Sequence, residues 1–106
     1  MSPSRSTFHI DVVAGLVRPA LHRISLTDHD EIEWVINDGS GMVAFDPGVG
    51  DPLTWAHGPA FSREFPALGT AKTAGTYVHT VNYWYDLGLG GNKEHESLQM
   101  VLIIEP

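Results

Sequence analysis

The residues best able to bind a metal or move a proton near neutral pH are six histidines, His9, His22, His29, His57, His79 and His95. None of them stands one helical turn from another, and none alternates with another on a strand, so no close ligand pair is written into the spacing. His57, His79 and His95 are the candidate metal ligands. His79 falls at an inward position of an alternating stretch, His57 lies in a loop, and His95 sits between Glu94 and Glu96. Two have a plainer account, a hydrogen-bonded core imidazole for His79 and solvated loop charge for the trio around His95. The chain has no cysteine, which excludes a disulfide, a thiolate metal ligand and a cysteine nucleophile. Ser62 and Ser97 lie in no Gly-x-Ser-x-Gly elbow, and Gly88-Leu89-Gly90-Gly91 carries no phosphate-binding lysine and hydroxyl. Two carboxylates at a suitable separation would suffice for a hydrolase, but no pattern here selects a pair. No catalytic residue and no cofactor is assigned.

Aromatic residues are the stronger lead. Tyr83, Trp84 and Tyr85 are consecutive, and on a strand neighbouring side chains point to opposite faces, so the three cannot share one core. If Tyr77, His79, Val81 and Tyr83 face inward, Trp84 faces outward, and Tyr85 falls where the strand gives way to a loop. Trp84 and Tyr85 are then the outward anchors. Together with Trp55, these residues form a candidate amphipathic binding patch, with His57 expected near it.

The elements that must hold these residues read as strands. Phe8 to Val13 alternates with period two, His22 to Thr27 resumes through Ile24 and Leu26, and Glu31 to Ile36 places Ile32, Trp34 and Ile36 inward. Leu16 to Leu21, interrupted by Pro19, reads as an irregular edge. Asn37-Asp38-Gly39-Ser40-Gly41 is a strong turn, followed by a short strand, Met42 to Phe45. The Gly- and Pro-rich stretch from Asp46 to Pro52 leads into what reads as a turn of helix near Leu53-Thr54-Trp55. Ala60 to Phe65 reads as a strand, Pro66 to Ala74 as a loop, and Thr76 to Trp84 as a long strand. Asp86 to Asn92 is a glycine-rich bend. The closing run Met100 to Ile104 is apolar on both faces, as expected of a central strand or of a surface covered by a second subunit. The whole is an all-β Greek-key sandwich of about seven strands, one domain over residues 1–106, with residues 1–6 disordered.

Composition limits the partners. Thirteen acidic against six basic residues give a formal charge of −7, which disfavours nucleic acid and anionic membrane surfaces. No stretch is long and apolar enough for a membrane span or a signal core, so the expectation is a soluble protein without a signal peptide, cytoplasmic, or periplasmic if a leader has been removed.

Ile32-Glu33-Trp34-Val35-Ile36-Asn37 with a glycine turn and Val43-Ala44-Phe45-Asp46, then Phe61-Ser62 with Phe65, then Gly75-Thr76-Tyr77 and an apolar closing strand, resembles the cupredoxins from about Phe8 to Glu105. The resemblance implies a blue-copper site with a histidine where Gly41 or Met42 stands, a cysteine at Val81, and a second histidine among Tyr83, Trp84 and Tyr85. None of these residues supplies the thiolate and imidazoles that type 1 copper needs. Three functional classes remain. The first is a non-catalytic cupredoxin-like binding or assembly module, a homo-oligomer or one with a protein partner or small ligand. The others are a divalent-metal protein using histidine and carboxylate ligands, and a small enzyme of unknown reaction. The sequence favours the first.

Overall fold

The computed structural model describes residues 3–86 and 93–106. Within them the chain forms ten strands and no helix: β1 (Arg5–Asp11), β2 (Leu16–Arg18), β3 (Leu21–Ser25), β4 (Glu31–Ile36), β5 (Ser40–Ala44), β6 (Leu53–His57), β7 (Ala60–Ser62), β8 (Ala67–Ala71), β9 (Gly75–Asp86) and β10 (Lys93–Glu105). They lie in two five-stranded sheets, ordered β2-β1-β4-β8-β6 and β3-β10-β9-β5-β7. Most pairings are antiparallel. The exceptions are β1 with β4 and β3 with β10, which run parallel. No helix among the described residues is long and apolar enough to cross a membrane.

Strict alternation builds the core. In β4, Ile32, Trp34 and Ile36 are buried while Glu31, Glu33 and Val35 face outward. Across the interior, β9 contributes Tyr77, His79, Val81 and Tyr83, and β10 contributes Met100, Leu102 and Ile104. Trp34 is the largest side chain with no solvent exposure, and it lies within 5.5 to 5.6 Å, centroid to centroid, of Phe8, Trp55 and His79. Interdigitation of large rings from both sheets removes most apolar surface from water, at about 25 cal/mol per Å².

Several expectations are corrected. The structure has ten strands where about seven were expected, because short edge pieces and one inner strand carry weak sequence signals. Pro66 to Ala74 is not a loop: Ala67–Ala71 alternates in burial as β8 and pairs with both β4 and β6. Its alanines and Gly69 lack the branched and aromatic side chains that mark strands, and Gly69 lets Leu53 and Trp55 pack close against it. Leu53–His57 is a strand, not a helical turn. The strand expected through Phe65 stops at Ser62. Within the stretch 1–6 expected to be disordered, Arg5 and Ser6 pair with Glu31 and Ile32 and the Ser4 amide donates to Asp30, while residues 1 and 2 lie outside the described residues. Of the bend at 86–92, Asp86 ends β9 and the rest lies outside the described residues. The closing strand is internal to its sheet, between β3 and β9.

Candidate functional site

The residues singled out in the sequence do not gather into one site. Trp55 lies on β6, at the edge of the sheet opposite to the one holding Tyr83 to Tyr85. Its half-buried ring packs on Trp34 and Phe45, and its indole N–H donates to Asp51 at 2.5 Å. It belongs to the interior's aromatic cluster rather than to an outer patch with the tyrosines. Tyr83 is 1% exposed. Trp84 does face outward, 39% exposed, and stacks on His95 at 4.9 Å. Tyr85 departs from expectation. Because β9 runs on to Asp86, alternation is kept, and Tyr85 is a half-buried inner-face residue stacked on Tyr83 at 5.8 Å. The positions that the cupredoxin resemblance assigns to copper lie on the adjacent strands β5 and β9, where Gly41 pairs with Tyr83 and Val43 with the fully buried Val81.

The three candidate metal ligands are also separate. His79 is 2% exposed, and its Nδ1–H donates to the Tyr77 carbonyl at 3.2 Å. Among the described residues its Nε2 has no partner, and neither does the buried indole nitrogen of Trp34. Burial pushes the His79 imidazole down to about 4, against the smaller opposing effect of the Tyr77 hydrogen bond, so the ring is neutral at physiological pH. His57 ends β6, and its Nδ1–H donates to the Pro66 carbonyl at 2.8 Å. His95 is on the outer face of β10 with Trp84, whereas Glu96 pairs with Tyr83 and so belongs to the opposite face. Strand alternation therefore breaks up the Glu94-His95-Glu96 trio. Among the described residues, no three His, Asp or Glu side chains converge as a metal site.

What the strands do bring together is a ridge of loops at one end of the sandwich. Parallel β1 and β4 both finish there, β5 begins there, and β7 ends and β8 begins beside it. The loops at 12–15, 37–39 and 63–66 are consequently neighbours, and hydrogen bonds join them. Asn37 Oδ1 accepts from the Val12 amide at 3.0 Å, and Asn37 Nδ2 donates to Asp11 Oδ1 at 3.2 Å. The same Asp11 oxygen accepts from the Val13 and Ala14 amides at 3.0 and 3.1 Å. Bonding to the Ala14 amide above all holds the Asp11 carboxyl below its ordinary range. The Asn37 amide donates to the Ile10 carbonyl, and the Arg63 amide donates to the Gly39 carbonyl, each at 3.2 Å. Ser62 and Phe65 exchange both backbone bonds across the third loop, at 3.0 and 3.2 Å. Gly39 closes the second loop at φ 77°, where a Cβ would stand 1.9 Å from the Trp84 carbonyl oxygen.

Two apolar side chains project from this ridge, Val13 at 90% and Phe65 at 64% exposure. The Phe65 ring is backed by the His57 imidazole at 6.1 Å. Neither Val13 nor Phe65 was a candidate from the sequence, where Val13 closed an alternating strand and Phe65 was expected to end one. Only Asn37-Asp38-Gly39 was marked, and as a turn. The coupling of three sequence-distant loops has no local signature.

No protein-family model matches the sequence, and no curated protein matches it. Among solved structures the chain is similar to a cysteine protease inhibitor from Entamoeba histolytica, with a TM-score of 0.59 at 14% identity, over 98% of this chain and 100% of that one. At that identity the likeness shows a shared fold.

Proposed function

We propose that this chain is a non-catalytic protein-binding module that engages a cysteine protease through the loop end of its sandwich. The observation that carries this reading is the hydrogen-bonded coupling of the loops at 12–15, 37–39 and 63–66, which sets exposed Val13 and Phe65 on backbone already tied in place. Ordering an interface side chain on binding costs roughly 0.5–1.5 kcal/mol, and a pre-tied ridge avoids part of that cost. Projecting apolar side chains on rigid backbone are the kind of anchor that fills a partner's pocket. The partner class comes from the similar fold, whose protein is a cysteine protease inhibitor. Fold alone does not carry function across such a distance, and the ridge supplies a reason located in this chain's own residues. The finer description of the scaffold, a Greek-key sandwich of cupredoxin type without copper ligands, is part of the same proposal and rests on motif order.

Papain, as a representative cysteine protease, tests the proposal. Titration with the chain is expected to abolish peptide hydrolysis stoichiometrically and to give a one-to-one complex in sedimentation, with the chain left uncleaved. Full activity and two separate species with the chain in excess would overturn it.

A further inference from the structure

Past the end of β1, the inner face of the β9–β10 hairpin is met by the loop at 12–15 instead of by a strand. Between them lies an open cleft of about 290 Å³, with Val12 to Gly15 on one wall and Tyr83, Tyr85, Glu96 and Leu98 on the other. The volume is at the low end of the roughly 300–1,000 Å³ typical of small-molecule pockets, and the cleft is open to solvent, so it has room for a long side chain that enters from outside. The two tyrosine rings stack at 5.8 Å with planes 28° apart, so that Tyr85, the half-buried one, offers ring surface to the opening. Glu96 pairs with Tyr83 across the hairpin, and Glu94, two residues earlier on the same face, pairs with Tyr85. Both carboxylates are on exposed residues. Burial, and after it the Glu96 charge, raise the Tyr83 phenol above its ordinary range, as expected if the carboxylate acts on the interior of the cleft. None of the described side chains that line it is basic.

We infer that this cleft receives a basic side chain of the partner protein, held by the Glu96 carboxylate and the face of Tyr85. The inference rests on the protein-binding reading above and adds the chemistry of the contact. A cation over a tyrosine face is attracted by the ring quadrupole, and a carboxylate at the rim accepts its N–H bonds. Arginine suits the site best, because its flat guanidinium stacks on an aromatic ring while its edge pairs with a carboxylate. The chain's charge of −7 favours approach of such a partner. The cleft also adjoins Val13, so an inserted cation and the apolar ridge would meet the same partner surface.

The test uses the free chain with acetyl-arginine amide as probe and acetyl-leucine amide as control, followed by amide NMR. The arginine probe is expected to shift Ala14, Tyr85 and Ser97 saturably, and the leucine control is not. Glu96→Gln should weaken the probe about fivefold, the effect of losing one exposed ion pair, and Tyr85→Leu should weaken it as well, with the unfolding midpoint recorded to show that the variant is folded during the titration. Absence of a localised saturable shift, equal shifts with the leucine control, or an unchanged response in Glu96→Gln would each overturn the inference. A papain complex formed with equal affinity by wild type and Glu96→Gln would also end it while leaving the protein-binding reading standing. Arginine binding without any papain complex would uphold the cleft's chemistry and remove the protease.

Discussion

Among the described residues, His79 is the one polar side chain in the buried core, and its hydrogen bond to Tyr77 leaves Nε2 unmatched there. Its folded-state value of about 4 lies below the 6.5 of an unperturbed imidazole. Between those two values the unfolded chain holds a proton that the folded chain does not. Stability from this residue is therefore complete above pH 6.5 and is lost as pH falls through the window, by on the order of 3 kcal/mol in all. Urea midpoints measured across that range should fall with acid, and His79→Leu should flatten the profile. An identical slope in the variant would mean that His79 charges freely in the folded state. Two tryptophans make a complementary pair of expectations. Trp34→Ala empties the centre of the aromatic cluster and should cost on the order of 3–5 kcal/mol. Trp84→Ala removes a ring held chiefly by His95 on the outer face, and its midpoint should move far less. Equal losses in the two variants would contradict the inward and outward assignment.

Among the elements, the turn at 37–39 does the most to join the sheets to the ridge. Gly39→Ala would place a methyl against a backbone carbonyl that cannot retreat, besides the strain of roughly 1–2 kcal/mol for a side chain in left-handed backbone. A thermal midpoint close to wild type would mean that this turn differs from the one described. Asn37→Ala is a gentler probe. It frees the Val12 amide and one bond to Asp11, with an expected stability loss of about 1 kcal/mol and faster amide exchange at Val12 and Val13. Elements of this kind show what could be read in advance. Strands with branched and aromatic residues, β4 and β9 above all, were legible because their burial follows strict alternation, and that placed Trp34, His79 and Trp84 on their proper faces. β8 was not legible, because Ala67–Ala71 is a strand through its neighbours rather than through its own preference. Tyr85 was misplaced for a related reason, since glycines just beyond it implied an earlier end to β9 than the pairing of Asp86 with Lys93 allows.

For the molecule as a whole, the two-sheet architecture was legible from periodicity and turns, whereas the site was not. Candidates chosen by residue type, histidines and clustered aromatics, turn out to be divided between the core, an edge strand and an outer face. The ridge that replaces them depends on three loops far apart in the chain, brought together by the parallel pairing of β1 with β4 and by the return of β7 into β8. In the proposed complex, Val13 and Phe65 are the shared anchors of that ridge. The most direct measurement is a papain titration with the Val13→Ser/Phe65→Ser double variant alongside wild type, with unfolding midpoints recorded for both. Since neither side chain is buried in the core, the variant should keep its midpoint and lose at least about 100-fold in affinity, the effect of two apolar hot spots of roughly 1.4 kcal/mol each. Wild-type affinity in a variant of unchanged stability would contradict the claim that this end of the sandwich is the binding surface.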